Sequence, residues 1–227
     1  MNKPIILFIH GFMGNPDEFN LIEELLNINN YQTFSFYLHG HKEPVKKLKR
    51  KDWLNDCQNN LNYILPNHQE VIVIGHSLGG VLGINLALNN QPYIKKIILI
   101  DPSIEYLINK NGKIKILASL KQLSKAIKQV DKKQKGPKPA KLPISAFREF
   151  KELLKEERNS IYDLQCPLLI IHGDQDYIVP KDKIKEIYDE LTNSNKELMI
   201  IPGANHWWIR EELNKETSEK ILSFIKK

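Results

Sequence analysis

The sequence predicts an α/β protein: a mostly parallel sheet of about six strands flanked by helices, with a helical insertion past its middle. Three observations predict it. Short runs rich in β-branched residues recur at Ile5 to Ile9, Thr33 to Leu38, Val71 to Ile74, Ile97 to Ile100, Leu168 to Ile171 and Leu198 to Ile201. Stretches with helical periodicity separate most of them, and strands alternating with helices build parallel sheets covered on both faces. The alternation breaks once, after Ile100, and the next strand signal is Leu168.

Each element follows from its own pattern. Ile5 to Ile9 is wholly apolar, as a strand buried on both faces must be, and is too short for the hydrophobic region of a signal peptide. Phe19, Ile22, Leu25, Leu26 and Ile28 form a helical stripe, and Trp53, Leu54, Cys57, Leu61, Ile64 and Leu65 form a second one after the strand at Thr33. Val71 to Ile74 runs through a glycine-rich turn into Val81, Leu82, Ile84, Leu86, Ala87 and Leu88, the apolar pattern of a buried helix. Within the insertion, Ile116, Leu120, Leu123, Ile127 and Val130 mark one stripe and Lys121, Lys125 and Lys128 another. "KGPKPAKLP" (135–143) then breaks the helix before Phe147, Phe150, Leu153 and Leu154 resume it. The expected division is a core of residues 1–103 and 161–227 and a helical cap of residues 104–160.

With 227 residues, 41% hydrophobic and 26% charged, the chain suits one compact globular unit and excludes a disordered one. Cys57 and Cys166 are too few for a disulfide framework and lack metal-ligand spacing, so both are expected as buried thiols. No run approaches the roughly 18 apolar residues of a membrane span. A soluble cytoplasmic protein without stable membrane insertion is expected. The net charge of +6 is concentrated: residues 104–160 hold 15 Lys and Arg against 6 Asp and Glu, leaving the remainder net acidic. These charges fall at helical spacing without interleaved aromatic platforms, which favours a solvated face over a nucleic-acid partner.

The chemistry is concentrated in "VIVIGHSLGG" (71–80), where Gly75 to Gly79 fit G-x-S-x-G between a strand and a helix. A serine at so sharp a turn is lifted clear of the backbone, and small residues at 75 and 79 let neighbouring chain pass close by. The Leu78 N–H, at the helix N-terminus, can face a developing oxyanion. A serine in a glycine-rich turn is often only a helix cap. Here the flanking strand and buried helix argue for a nucleophile.

Further motifs stand in order along the chain: "LFIHGFMGN", "YLHGH", "KDWLNDCQNNLNYI", "LLIIHGDQDYIVP" and "PGANH". With "GHSLGG" they resemble the α/β-hydrolase superfamily over essentially the whole length, most closely the small carboxylesterases and monoacylglycerol-lipase-like serine hydrolases. The resemblance implies hydrolysis of a carboxylic ester of small or medium acyl chain through an acyl-enzyme, with a small-molecule ester as partner and neither metal nor organic cofactor. It implies the order Ser, acid, His, hence Ser77 as nucleophile, His206 as base and Asp176 as acid, with Asp174 and Asp101 as the other strand-end aspartates. It implies that the backbone N–H of Phe12 joins that of Leu78 in an oxyanion hole. Met13, His76 and Trp207 are candidate substrate contacts, although the His76 side chain is expected to point away from Ser77. Trp207 and Trp208 either wall the acyl pocket or simply pack. His39 and His41 are expected to stabilise a loop over the site, and Trp53 to pack in the core or against the cap. A thioesterase, acyltransferase or C–C lyase on the same fold, or a non-catalytic ligand-binding homologue, are the competing outcomes; oligomeric state is not implied.

Overall fold

A computed structural model describes residues 3–105, 142–211 and 213–227. Six strands form one sheet: β1 (Ile5–Ile9), β2 (Thr33–Ser35), β3 (Val71–His76), β4 (Ile94–Ile100), β5 (Leu168–Gly173) and β6 (Lys196–Ile201). Their order is β2-β1-β3-β4-β5-β6, and every neighbouring pair is parallel. The described helices are α1 (Asn20–Ile28), α2 (Arg50–Ile64), α3 (Leu78–Asn89), α4 (Ile144–Glu156), α5 (Lys181–Glu190) and α6 (Lys215–Lys226).

The two-residue period of a strand divides the core. Ile5, Leu7, Ile9, Val71, Val73, Ile97, Leu99, Leu168 and Ile170 share one cluster with the apolar sides of α2, α3, α4 and α5. Ile6, Phe8, Ile72, Ile74, Ile98, Ile100, Leu169 and Ile171 share the other with α1 and α6. Each such side chain removed from water contributes about 1.5–3 kcal/mol, which is why the central strands carry the apolar runs Ile5–Ile9, Val71–Ile74, Ile97–Ile100 and Leu168–Ile171. The chain runs from β1 outward to β2, then returns past β1 to β3 and continues the other way. The strand order therefore reverses between β1 and β3, and in open parallel sheets ligands gather beyond the strand carboxyl ends at such a switch point.

Three expectations change, two of them in the secondary-structure elements. The strand expected over Thr33 to Leu38 ends at Ser35, because beyond it the Leu38 N–H is taken by His10 Nε2 at 3.0 Å instead of by β1. Ile28, assigned to the buried stripe of α1, is 73% exposed; it stands two residues past Leu26, on the opposite side of a 3.6-residue helix. In the expected insertion, α4 forms where the helical pattern resumes and buries Ala146, Phe150, Leu153 and Leu154. Arg50 ties it to α2 through Glu149 at 3.1 Å and through Glu156. The stripe at Ile116 to Val130 and the lysines at 121, 125 and 128 lie outside the described residues. Cys57 is buried as expected, whereas Cys166 is only half-buried; both are unpaired thiols. No described helix is long and apolar enough to cross a membrane.

Candidate active site

Ser77 stands between β3 and α3 with φ 53° and ψ −114°, a left-handed conformation that costs a β-carbon-bearing residue strain. Its N–H donates to Ile100 O at 3.0 Å and its carbonyl accepts from Gly80 N–H at 3.1 Å, so both sides of the turn are fixed. The flanking glycines are steric necessities: a Cβ at Gly75 would meet Gly79 O at 2.3 Å, and one at Gly79 would meet Ile9 O at 1.8 Å. The first turn of α3 is thereby seated directly on the end of β1.

Residues from three strand ends converge on the serine. His206, after β6, places Nε2 2.9 Å from Ser77 Oγ and Nδ1 2.7 Å from Asp176 Oδ2. Asp176, after β5, is itself fixed by Ile178 N–H and Val179 N–H, which donate to Oδ1 at 2.7 and 3.0 Å. Burial alone would raise the Asp176 carboxyl; the charge and hydrogen bond of His206, with the Val179 N–H, hold it below the usual carboxylate range instead. The line ends in a residue the sequence reading missed. Ser103, fully buried after β4, places its Oγ 2.9 Å from Ser77 Oγ. When His206 Nδ1–H donates to Asp176, the neutral ring offers Nε2 only as an acceptor, so the Ser77 hydroxyl donates to it. Ser103 O–H must then donate to Ser77 Oγ.

The loop after β1 closes the other side. A Cβ at Gly11 would lie 3.2 Å from the Ser77 Cβ, so this loop lies against the elbow. Gly11 N–H donates to Glu18 Oε1 at 2.7 Å and Met13 N–H to His41 Nε2 at 3.1 Å, engaging the amides on either side of Phe12. No hydrogen bond to the Phe12 N–H is found among the described residues, and Leu78 N–H, opening α3, has no acceptor within its helix. The Phe12 ring stacks on Phe150 of α4 at 4.7 Å and meets Trp53 edge-on at 5.9 Å. His41 also bonds His39 O at 3.1 Å and thereby joins its own loop to the loop after β1. Burial and the neighbouring His10 lower the His41 imidazole to about 3, against weaker backbone bonds that raise it, so it accepts as the neutral ring.

The remaining candidates separate clearly. Asp174 Oδ1 accepts from Gly203 N–H at 2.7 Å and braces its turn. Asp101 Oδ1 accepts from Gly173 N–H at 2.8 Å and lies 3.1 Å from His172 Nδ1, while His172 Nε2 bonds Val179 O at 3.0 Å. Of the three strand-end aspartates, Asp176 is the one hydrogen-bonded to His206. The His76 side chain is turned inward. It is 1% exposed, with Nδ1 3.0 Å from Glu18 Oε1 and Nε2 2.9 Å from His206 O, because a strand residue preceding the elbow points into the body of the protein. Trp53 is buried, its Nε1–H on His39 O. Met13, at φ 61°, and Trp207, edge-on to His206 at 5.1 Å, are half-buried beside the site, whereas Trp208 is buried in the core. Two groups bring metal-competent atoms within 4.8 Å of one another, His76–Asp101–His206 and Asp101–His172–Asp176. Every ring nitrogen of His76 and His206 is already committed to a protein partner, so the first group fits hydrogen bonding better than a cation; in the second, both oxygens of Asp176 are likewise committed, whereas Asp101 Oδ2 has no hydrogen-bond partner among the described residues.

Comparison with known proteins finds relatives among esterases and lipases. Residues 1–213 match the Hydrolase_4 family, described as serine aminopeptidase, S33. The thermostable monoacylglycerol lipase of Bacillus sp. (strain H-257) is 23% identical over 90% of this chain and 84% of its own. The carboxylesterase of Bacillus subtilis (strain 168) is 20% identical over 98% of this chain and 92% of its own. Among solved structures, the monoacylglycerol lipase of Paleococcus ferrophilus superposes with a TM-score of 0.73 over 99% of this chain and 96% of its own, at 18% identity.

Proposed function

The chain belongs to the Hydrolase_4 family of α/β-hydrolases, and on that premise we propose that it cleaves carboxylic esters of small or medium acyl chain through Ser77, His206 and Asp176. The observation that carries this is the unbroken relay from Ser77 Oγ to His206 Nε2 at 2.9 Å and from His206 Nδ1 to Asp176 Oδ2 at 2.7 Å. His206 takes the Ser77 proton as the oxygen attacks the ester carbonyl. Asp176 fixes the tautomer and stabilises the imidazolium, and the amides of Phe12 and Leu78 receive the charge on the carbonyl oxygen. The protonated imidazole then passes its proton to the leaving alcohol. Water attacks the acyl-enzyme by the same route, and the acid leaves. Met13 and Trp207, half-buried beside the base and the oxyanion loop, are the substrate contacts in this reading. Two unpaired thiols suit a reducing compartment, which supports a cytoplasmic enzyme.

A panel of p-nitrophenyl esters from acetate to palmitate, run with wild type and Ser77→Ala, tests the proposal. Turnover should peak on the shorter acyl chains and fall on the order of 10⁶-fold in kcat without the serine. A fluorophosphonate should label Ser77 stoichiometrically. Turnover of none of the esters by a folded protein would reject ester hydrolysis in favour of a thioester or C–C substrate, and failure to label would reject the nucleophile.

A further inference from the structure

Glu18 occupies a place that the proposed chemistry does not use. It lies in the short 3₁₀ turn Pro16–Phe19, is 2% exposed, and is wrapped so closely that a Cβ at Gly14 would lie within 2.5 Å of its Oε2. A buried carboxylate is costly unless every oxygen is engaged, and here both are. Oε1 accepts from Gly11 N–H at 2.7 Å and from His76 Nδ1–H at 3.0 Å, and Oε2 accepts from Arg210 at 2.9 Å. Each partner stands on a different segment of the site. Gly11 precedes Phe12 in the oxyanion loop, His76 precedes Ser77 at the elbow, and Arg210 follows His206 in the base loop.

The His76 ring extends the tie. Its other nitrogen, Nε2, meets the backbone carbonyl of His206 at 2.9 Å. A carboxylate and a carbonyl can only accept, so the ring donates from both nitrogens and is an imidazolium. The cation is thus held between Glu18 and the peptide of the base. The other charged or titratable groups around it are Asp101, Arg210, His10 and His206, whose ring centroid is 5.1 Å away.

We propose that Glu18 is a positioning residue for catalysis: one buried carboxylate that sets the oxyanion loop directly and the base His206 through the His76 imidazolium, so that donors and base are placed relative to the same point. The inference rests on the serine-hydrolase reading of the site. Its physical ground is that an ion pair needed only for packing can be replaced by matching apolar side chains, whereas this one joins three separate catalytic segments. The titration directions agree. Burial opposes ionisation of both groups, yet Glu18 is driven far below and His76 above the ordinary value, each by the charge and hydrogen bond of the other.

Glu18→Gln keeps the volume and the acceptor for Gly11 N–H but removes the charge that holds His76 protonated. Misplacing the base and the oxyanion donors together should lower kcat about 10- to 100-fold. Because ground-state binding is untouched, KM should stay within about threefold. His76→Gln reads the same tie from its other end. The double variant should lose no more than the worse single one, since both act through one link. Asp17→Asn, a neighbouring exposed carboxylate, serves as the control with unchanged kinetics. Proton NMR of the unliganded protein gives a readout independent of any substrate: the low-field His206 Nδ1–H resonance should be sharp in wild type and Asp17→Asn, and displaced or broadened in Glu18→Gln and His76→Gln. Folded Glu18→Gln and His76→Gln with wild-type kcat and an unchanged resonance would overturn the proposal. If wild type turns over no ester, the hydrolase reading fails by itself, and the NMR comparison still decides whether Glu18 positions His206.

Discussion

At Ser77 the direction of two protons fixes the chemistry. The serine hydroxyl donates to His206 and accepts from Ser103, so in the proposed mechanism the second hydroxyl is hydrogen-bonded to the oxygen that departs when the acyl-enzyme breaks down. Ser103→Ala should therefore slow deacylation more than acylation and enlarge the burst of alcohol release, with kcat lower by about tenfold, the loss expected for one hydrogen bond to a charged oxygen. Rapid-mixing kinetics on a p-nitrophenyl ester would show it, and an unchanged burst would remove Ser103 from the mechanism. The sequence displayed Ser77, Asp176 and His206 because each stands in a local motif at a strand end. It hid Ser103 and Glu18. Ser103 lies in "DPS" and Glu18 in "NPDEF", both with the appearance of ordinary turn residues, and their roles exist only through partners 26 and 58 positions away. The one available signal was weak: Glu18 stands directly before the core residue Phe19 at the start of an apolar stripe, where a charge needs a partner.

Among the elements, the elbow and the first strand constrain one another. α3 can approach β1 only because residue 79 has no side chain, and its amide end is thereby brought beside the loop that follows β1. Gly79→Ala should be severely destabilising or fail to fold, since its Cβ would overlap backbone atoms of Ile9 and His10 that cannot rotate away. A melting curve close to wild type would contradict the packing described. The strand and helix positions were legible because their periods, two and 3.6, are written in apolar residues. The premature end of β2 was not, since it depends on His10 capturing an amide 28 positions away. Likewise α4 was legible as a helix, whereas the placement of Phe150 against the Phe12 ring was not.

For the whole molecule, the buried ion pair makes stability depend on pH in both directions. Glu18, held below its ordinary value, contributes fully above about pH 4.3 and loses that contribution as acid protonates it. His76, held above its ordinary value, contributes fully below about pH 6.5 and loses that contribution as pH rises through its raised value. The gap in melting temperature between wild type and Glu18→Gln should be widest near pH 5–6 and narrow on either side, measurable by calorimetry across pH. A gap independent of pH would mean that the pair is not ionised. The basic segment 104–160 carries a different expectation. As a solvated face it should give anionic and neutral esters of equal chain length the same response to added salt, and a selective loss of rate on the anionic ester would instead show electrostatic steering.

The sequence by itself determined the fold class, the strand order of events along the chain, and which local turns bear a serine, a carboxylate and an imidazole, because hydrophobic period and turn chemistry are properties of neighbouring residues. Only the tertiary structure decided which of three strand-end aspartates meets His206, that His76 faces inward, and that Glu18 and Ser103 join the site. Those outcomes depend on the parallel register that brings the carboxyl ends of β1, β3, β4, β5 and β6 to one rim, a distance relation that no local pattern encodes.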